Sequence, residues 1–148
     1  MYSRQETADV RKKFWASFGK YLAPVPSSSG KKINWINYKT GIRVIQFKME
    51  VINEAYIGIE ITHNDPGKRK IYYDQFEALK PILEKVLGER WQWQLYTREK
   101  APIARIFTIL PNVNVYNPAD WPAIISFFKQ RLIGLDYFWQ EYRMVFEI

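Results

Sequence analysis

Side chains that could do chemistry fall in three places along this chain of 148 residues. His63-Asn64-Asp65 sets an imidazole two residues from a carboxylate, the arrangement of a general base with an orienting acid. No nucleophile accompanies it, and a lone histidine at a strand end more commonly bonds locally. Gly67-Lys68-Arg69-Lys70 stands at the mouth of a helix, where free backbone N–H groups favour an anion. Its cations oppose the helix dipole and so invite an external phosphate, although Walker spacing is missing. Trp91, Trp93 and Tyr96 have the character of a stacking platform for a single strand. Trp91 and Trp93 also share the face of Leu95, and packing explains them better.

Composition removes most other chemistry. There is no cysteine, which excludes disulfides, thiolate nucleophiles and thiolate metal sites. The single histidine excludes sites built on two imidazoles. No cofactor fingerprint is present, so no cofactor is expected. No apolar run is long enough to span a bilayer, and residues 1–13 lack a signal-peptide core, which points to the cytoplasm and no membrane partner.

The charge is lopsided. Residues 1–48 hold ten Lys and Arg against only Glu6 and Asp9, a net +8, while the other hundred residues sum to −1. Such an excess attracts polyanions when it is not simply a solvated face. Arg11, Lys12, Lys13, Lys31, Lys32, Lys68, Arg69 and Lys70 are the expected phosphate contacts, with little sequence preference.

These residues sit on an α/β (α+β) pattern in one domain over 1–148. Residues 3–22 read as a helix with capping-box spacing at Ser3 and Glu6, stopped by Pro24 and Pro26. The loop 24–32 reads as flexible, its serines and lysines free to meet phosphate. Three strands follow at 33–38, 42–50 and 55–63, the first two joined by a turn at Lys39-Thr40-Gly41. A helix from Asn64-Asp65-Pro66-Gly67 to about residue 87 is expected to kink or break at Pro81 and to close at Gly88. Strands at 91–97 and 103–109 precede a last helix capped by Asn117, which Gly134 could interrupt. The expected order is α-β-β-β-α-β-β-α, with five strands in one mixed or antiparallel sheet flanked by helices. Surplus rings on the stripe Trp121–Phe146 would make a homodimer surface through the C-terminal helix.

That order resembles the core of restriction-endonuclease-like folds. The stretches FWASFGKYLAPVPSSSGKKINWINYKTG, IGIEITHNDPG, WQWQLYT and NVYNPADWPAIISFFKQRL resemble the bacterial family called domain of unknown function 4268, over roughly residues 14–147. That family's activity is unassigned, and some members are joined to nuclease-like regions, which implies DNA metabolism or defence by association. A nuclease of the resembled fold would need an acidic residue on the second core strand and an E-x-K on the third, to hold a Mg²⁺ and position the nucleophile. The third strand here reads Glu60-Ile61-Thr62, with threonine in the lysine position. Glu50, Asp65 or Glu77 would have to complete the metal site, with Lys48 replacing the lysine. Otherwise Glu60 is an ordinary polar residue, paired with Lys48 across strands. The sequence therefore favours a non-catalytic nucleic-acid-binding module over a Mg²⁺-dependent nuclease or a dimerisation domain.

Overall fold

The computed structural model describes residues 3–96 and 102–147. Helix α1 (Arg4–Leu22) begins at Ser3, whose hydroxyl accepts the Glu6 N–H at 3.2 Å. Phe14, Phe18 and Leu22 form its buried stripe. Strands β1 (Ile45–Val51) and β2 (Ala55–Ile61) follow as an antiparallel hairpin. Next come α2 (Pro66–Ala78), α3 (Lys80–Leu87), β3 (Gln92–Gln94), β4 (Ala104–Leu110) and α4 (Trp121–Tyr142). Short 3-10 turns at Pro118–Asp120 and Arg143–Phe146 bracket α4. Among the described residues no helix is long and apolar enough to cross a membrane.

The sheet has four strands in the order β1-β2-β4-β3, and every neighbouring pair is antiparallel. Its inner face is aliphatic, with Ile45, Ile57, Ile59, Ile61, Ala104 and Ile106 buried. Against it pack α2 and α4, whose rings interlock with that of the 3-10 turn after α4: Phe76 lies 4.2 Å from Phe146 and 6.3 Å from Phe138, centroid to centroid. Each ring so buried contributes about 1.5–3 kcal/mol relative to exposure. Gly134 does not break α4. A Cβ there would meet Leu87 Cδ2 at 3.2 Å, so glycine lets α3 lie close against the helix.

The expected fifth strand is absent. Residues 33–38 form a side-chain-anchored loop: Asn34 Oδ1 accepts the N–H groups of Ile36 and Asn37, and Trp35 Nε1 donates to the Val25 carbonyl at 2.8 Å. An Asn that takes up its neighbours' N–H groups competes with strand pairing. The turn at residues 39–41 is likewise no hairpin, since Thr40 Oγ1 donates to the carbonyls of Ile42 and Ile45. Pro81 coincides with a full break, with Leu79 outside helical geometry and a new helix starting at Lys80. The strand expected at 91–97 shrinks to three residues, and Thr97 lies outside the described residues. Asn117 caps the 3-10 turn before α4, accepting the Ala119 N–H at 3.2 Å.

One buried carboxylate ties the basic N-terminal third to the core. Asp136, in the middle of α4, is 1% exposed. It accepts from the Ser27 hydroxyl at 2.9 Å, the Ser28 N–H at 2.7 Å and the Tyr38 hydroxyl at 2.5 Å. Residues 27–31 are therefore a pinned turn: Ser27 is buried, and the Gly30 N–H donates to the Ser27 carbonyl. Burial, and then the Asp136 contact, push the Tyr38 hydroxyl above its ordinary pKa of 10.0.

Asp136→Ala leaves the Ser27, Ser28, Tyr38 and Gln140 donors without their shared acceptor and is expected to cost about 3 kcal/mol. Urea denaturation measures it, and a loss below about 0.5 kcal/mol would contradict the role given to this carboxylate.

Candidate functional site

Among the described residues, the outer face of the sheet carries no helix layer comparable to that on the inner face. Strand alternation puts Gln46, Lys48 and Glu50 of β1 on it, with Tyr56, Gly58 and Glu60 of β2 and Arg105, Phe107 and Ile109 of β4. The register aligns Gln46, Glu60, Arg105 and Gln94 as one polar row across all four strands. Arg105 Nε donates to Gln94 Oε1 at 2.8 Å, and its guanidinium lies 4.2 Å from the centre of the Phe107 ring. Phe107 in turn stacks on Tyr56 at 5.5 Å.

Tyr56 lies down along its own strand, and Gly58 makes that possible. The Tyr56 hydroxyl donates to Glu60 Oε2 at 2.8 Å, passing over Gly58. A Cβ on residue 58 would stand 2.7 Å from that hydroxyl and 2.9 Å from Phe107 Cβ. Tyr56 and Glu60 are both only 8% exposed. Burial, then the Glu60 charge and hydrogen bond, hold the Tyr56 hydroxyl above its ordinary value of 10.0.

This geometry separates the residues that a metal site would need to gather. Glu50 pairs with Tyr56 and Glu60 with Gln46, so the two backbone positions lie four residues apart along the sheet, about 13 Å, and the Glu60 carboxylate is taken up by the Tyr56 hydroxyl. Lys48 Nζ pairs with Glu50 at 3.2 Å, not with Glu60. Asp65 caps α2, its Oδ1 accepting from Gly67 N at 2.8 Å and Lys68 N at 3.2 Å. Those two N–H groups, Lys68 first, hold the Asp65 carboxyl below its ordinary value. Among the described residues no three His, Asp or Glu side chains are grouped as a metal site. His63 Nδ1 accepts the Asp65 N–H at 3.0 Å, a local bond.

The expected phosphate contacts divide into two sets. Arg11, Lys12, Lys13, Lys31 and Lys32 are exposed, and among the described residues none is in an ion pair. Of the ten cations in residues 1–48, Lys48 alone is paired there. The 67–70 turn is different. Arg69 is 5% exposed and donates to the His63 carbonyl at 2.8 Å, and Lys70 pairs with Asp74 at 2.7 Å. With Asp65 already on the helix N-terminus, Lys68 is the free cation of that segment among the described residues.

Arg11 shares a groove of about 900 Å³ with Trp15, Lys48, Glu50, Tyr56 and Arg105, running from α1 over the β1 side of the outer face. Sequence reasoning missed Arg105 and Tyr56. The signal available was the spacing Tyr56-x-Gly58-x-Glu60, which leaves a smooth track between a ring and a carboxylate on one face. Trp91 is buried, and Trp93 packs against Tyr73 at 5.7 Å, so neither is a stacking platform.

A family model described as a domain of unknown function, DUF4268, matches residues 10–143, nearly the whole chain. The chain belongs to the DUF4268 family. No curated protein and no solved structure matches it. The resemblance to a restriction-endonuclease core rests on an order with three strands between the first two helices; the structure has two there and four strands in all. In this DUF4268 chain the C-terminal helix buries eight side chains in its own core, leaving Tyr137 as the large exposed ring on it.

Gly58→Ala must displace Tyr56 or Phe107 and is expected to cost about 2 kcal/mol in urea denaturation, and an unchanged midpoint would contradict the packing described. Tyr38 and Tyr56 have raised folded-state pKa values, so the stability they contribute is complete below the unfolded value and falls as pH rises past 10.0. Tyr38→Phe with Tyr56→Phe should flatten that alkaline decline in melts measured from neutral pH upward. A decline of unchanged steepness would assign it to other groups.

Proposed function

We propose that this chain is a non-catalytic nucleic-acid-binding module that holds the sugar–phosphate backbone with the cations of its first third. The observation that carries this reading is their lack of neutralisation. Nine of ten Lys and Arg in residues 1–48 are exposed without an ion pair among the described residues. Farther along the chain Lys70, Arg90, Arg131 and Arg143 are each matched by a carboxylate, while exposed Lys68, Lys80 and Lys85 are in no ion pair among the described residues. Free cations release condensed counterions from nucleic acid when they meet phosphate, whereas paired ones must first break an existing contact.

Placement supports the same reading. Lys31 and Lys32 follow a turn pinned to α4 through Ser27 and Asp136, so they are presented from a fixed base. Arg11 borders the groove on the outer sheet face, where Arg105 and the amide of Gln46 offer donors. Phosphate contacts of this type position a backbone without reading bases, so little sequence preference is expected. A nuclease reading finds less support, because Glu60 is engaged by Tyr56 and faces Gln46 and Arg105 across the strands.

Fluorescence anisotropy with a labelled oligonucleotide over a salt series tests this. Contacts from Arg11, Lys12, Lys13, Lys31 and Lys32 should give a log–log salt slope of about −4 to −5 on duplex DNA. Lys31→Glu with Lys32→Glu should reduce that slope by about 2, while Lys68→Glu should have a smaller effect. Absence of binding at low salt, or binding indifferent to the double reversal, would refute the proposal.

A further inference from the structure

The outer edge of β1 is open, and its bonding pattern specifies what fits there. Thr62 N–H donates to Val44 O at 2.8 Å and Ile52 N–H to Glu54 O at 3.3 Å, which fixes the parity of the β1–β2 ladder. Even-numbered residues of β1 bond to β2, and odd-numbered residues turn their N–H and C=O groups outward. The outward groups of Ile45 are satisfied by Ile42 O and the Thr40 hydroxyl. Those of Phe47, Met49 and Val51 have no hydrogen-bond partner among the described residues. An edge of this length with three free residues is a template for another strand.

We propose that the occupant is a second copy of this chain, its β1 pairing antiparallel about a two-fold axis at Met49. That register uses all three free residues, placing Phe47 opposite Val51 of the other copy and Met49 opposite Met49. Three such pairs, at two bonds each, give six backbone hydrogen bonds between copies. The intervening pairs decide the specificity: Lys48 of each copy faces Glu50 of the other on the outer face. Within one chain these residues already form an ion pair at 3.2 Å, so the dimer closes a ring of four alternating charges. Opposite charges directly across an antiparallel pair are favourable and like charges are not, so the edge is self-complementary. The groove along β1, bordered by Arg11 and Trp15, leaves this strand accessible. Two four-stranded sheets would join into one of eight strands, distinct from a dimer built on the C-terminal helix.

Sedimentation velocity on the full chain, without nucleic acid, over a concentration series tests the proposal. The wild type should show a species at twice the chain mass of 17.7 kDa. Met49→Pro removes an outward N–H that the β1–β2 ladder does not use, and it should abolish the dimer. Lys48→Glu alone and Glu50→Lys alone should each weaken association about tenfold or more, since each sets like charges opposite one another. Mixed together, those two variants should recover a dimer, because each Glu then faces a Lys. The charge variants lie on exposed positions, so they test the register even if the proline variant folds poorly. A wild-type chain that stays monomeric leaves the edge to a foreign strand and overturns the proposal. Unchanged dimerisation by Met49→Pro or by either charge variant overturns it equally, as does failure of the mixture to pair.

Discussion

A sheet covered by its helical layer on one face is the constraint from which the rest of this molecule follows. With α2 and α4 supplying the inner cover, the inner positions of β1, β2 and β4 must be apolar, and apart from Thr108 they are, Phe47 adding a ring among the aliphatic side chains. The outer positions must then manage without a second layer. They do so by lying flat: Tyr56 extends over Gly58 to Glu60, and Arg105 covers Phe107. The two central strands are thereby shielded by their own side chains, and the exposed hydrophilic residues of the face lie on β1 and β3. Polar chemistry and an unpaired edge consequently occur together, along β1.

The same economy governs charge. Acidic residues are nearly absent from the first 48 positions, and among the described residues the cations on α1 and the following turn form no ion pair. What holds the turn is a carboxylate from the opposite end of the chain. Asp136 uses its oxygens on uncharged donors, Ser27, Ser28 and Tyr38, rather than on Lys31 or Lys32. The lysines gain a fixed base without losing their charge to it. A buried carboxylate satisfied by hydroxyl and backbone donors is costly to disturb, which makes this link a structural one.

Elements with strong periodicity were legible in the sequence. The alternation Ile57, Ile59, Ile61 gave β2, the Ser3–Glu6 cap gave α1, and Gly88 with φ 73° ended α3 as its position predicts. Residues 33–38 misled because Ile and Trp have strand propensity, while the interactions that keep them out of the sheet are local Asn bonds and a contact with Asp136 98 residues distant from Tyr38. Arg69 looked like a free cation since nothing in Gly67-Lys68-Arg69-Lys70 distinguishes a side chain that folds inward from one that does not. Within the candidate site, Arg11, Lys12, Lys13, Lys31 and Lys32 were recognisable from type and density. Arg105 was not, because its place in the polar row depends on β4 lying beside β2, a pairing of non-consecutive strands that composition does not reveal.

The account turns on whether the unneutralised cations of the first third are the surface that nucleic acid meets. Amide chemical-shift mapping during titration of the isotope-labelled chain with an unlabelled oligonucleotide reads this residue by residue. Perturbations concentrated at residues 11–13 and 31–32, extending to the β1 side of the outer face, are the predicted result. Shifts centred instead on residues 67–70, or no shifts at saturating oligonucleotide and low salt, would contradict it.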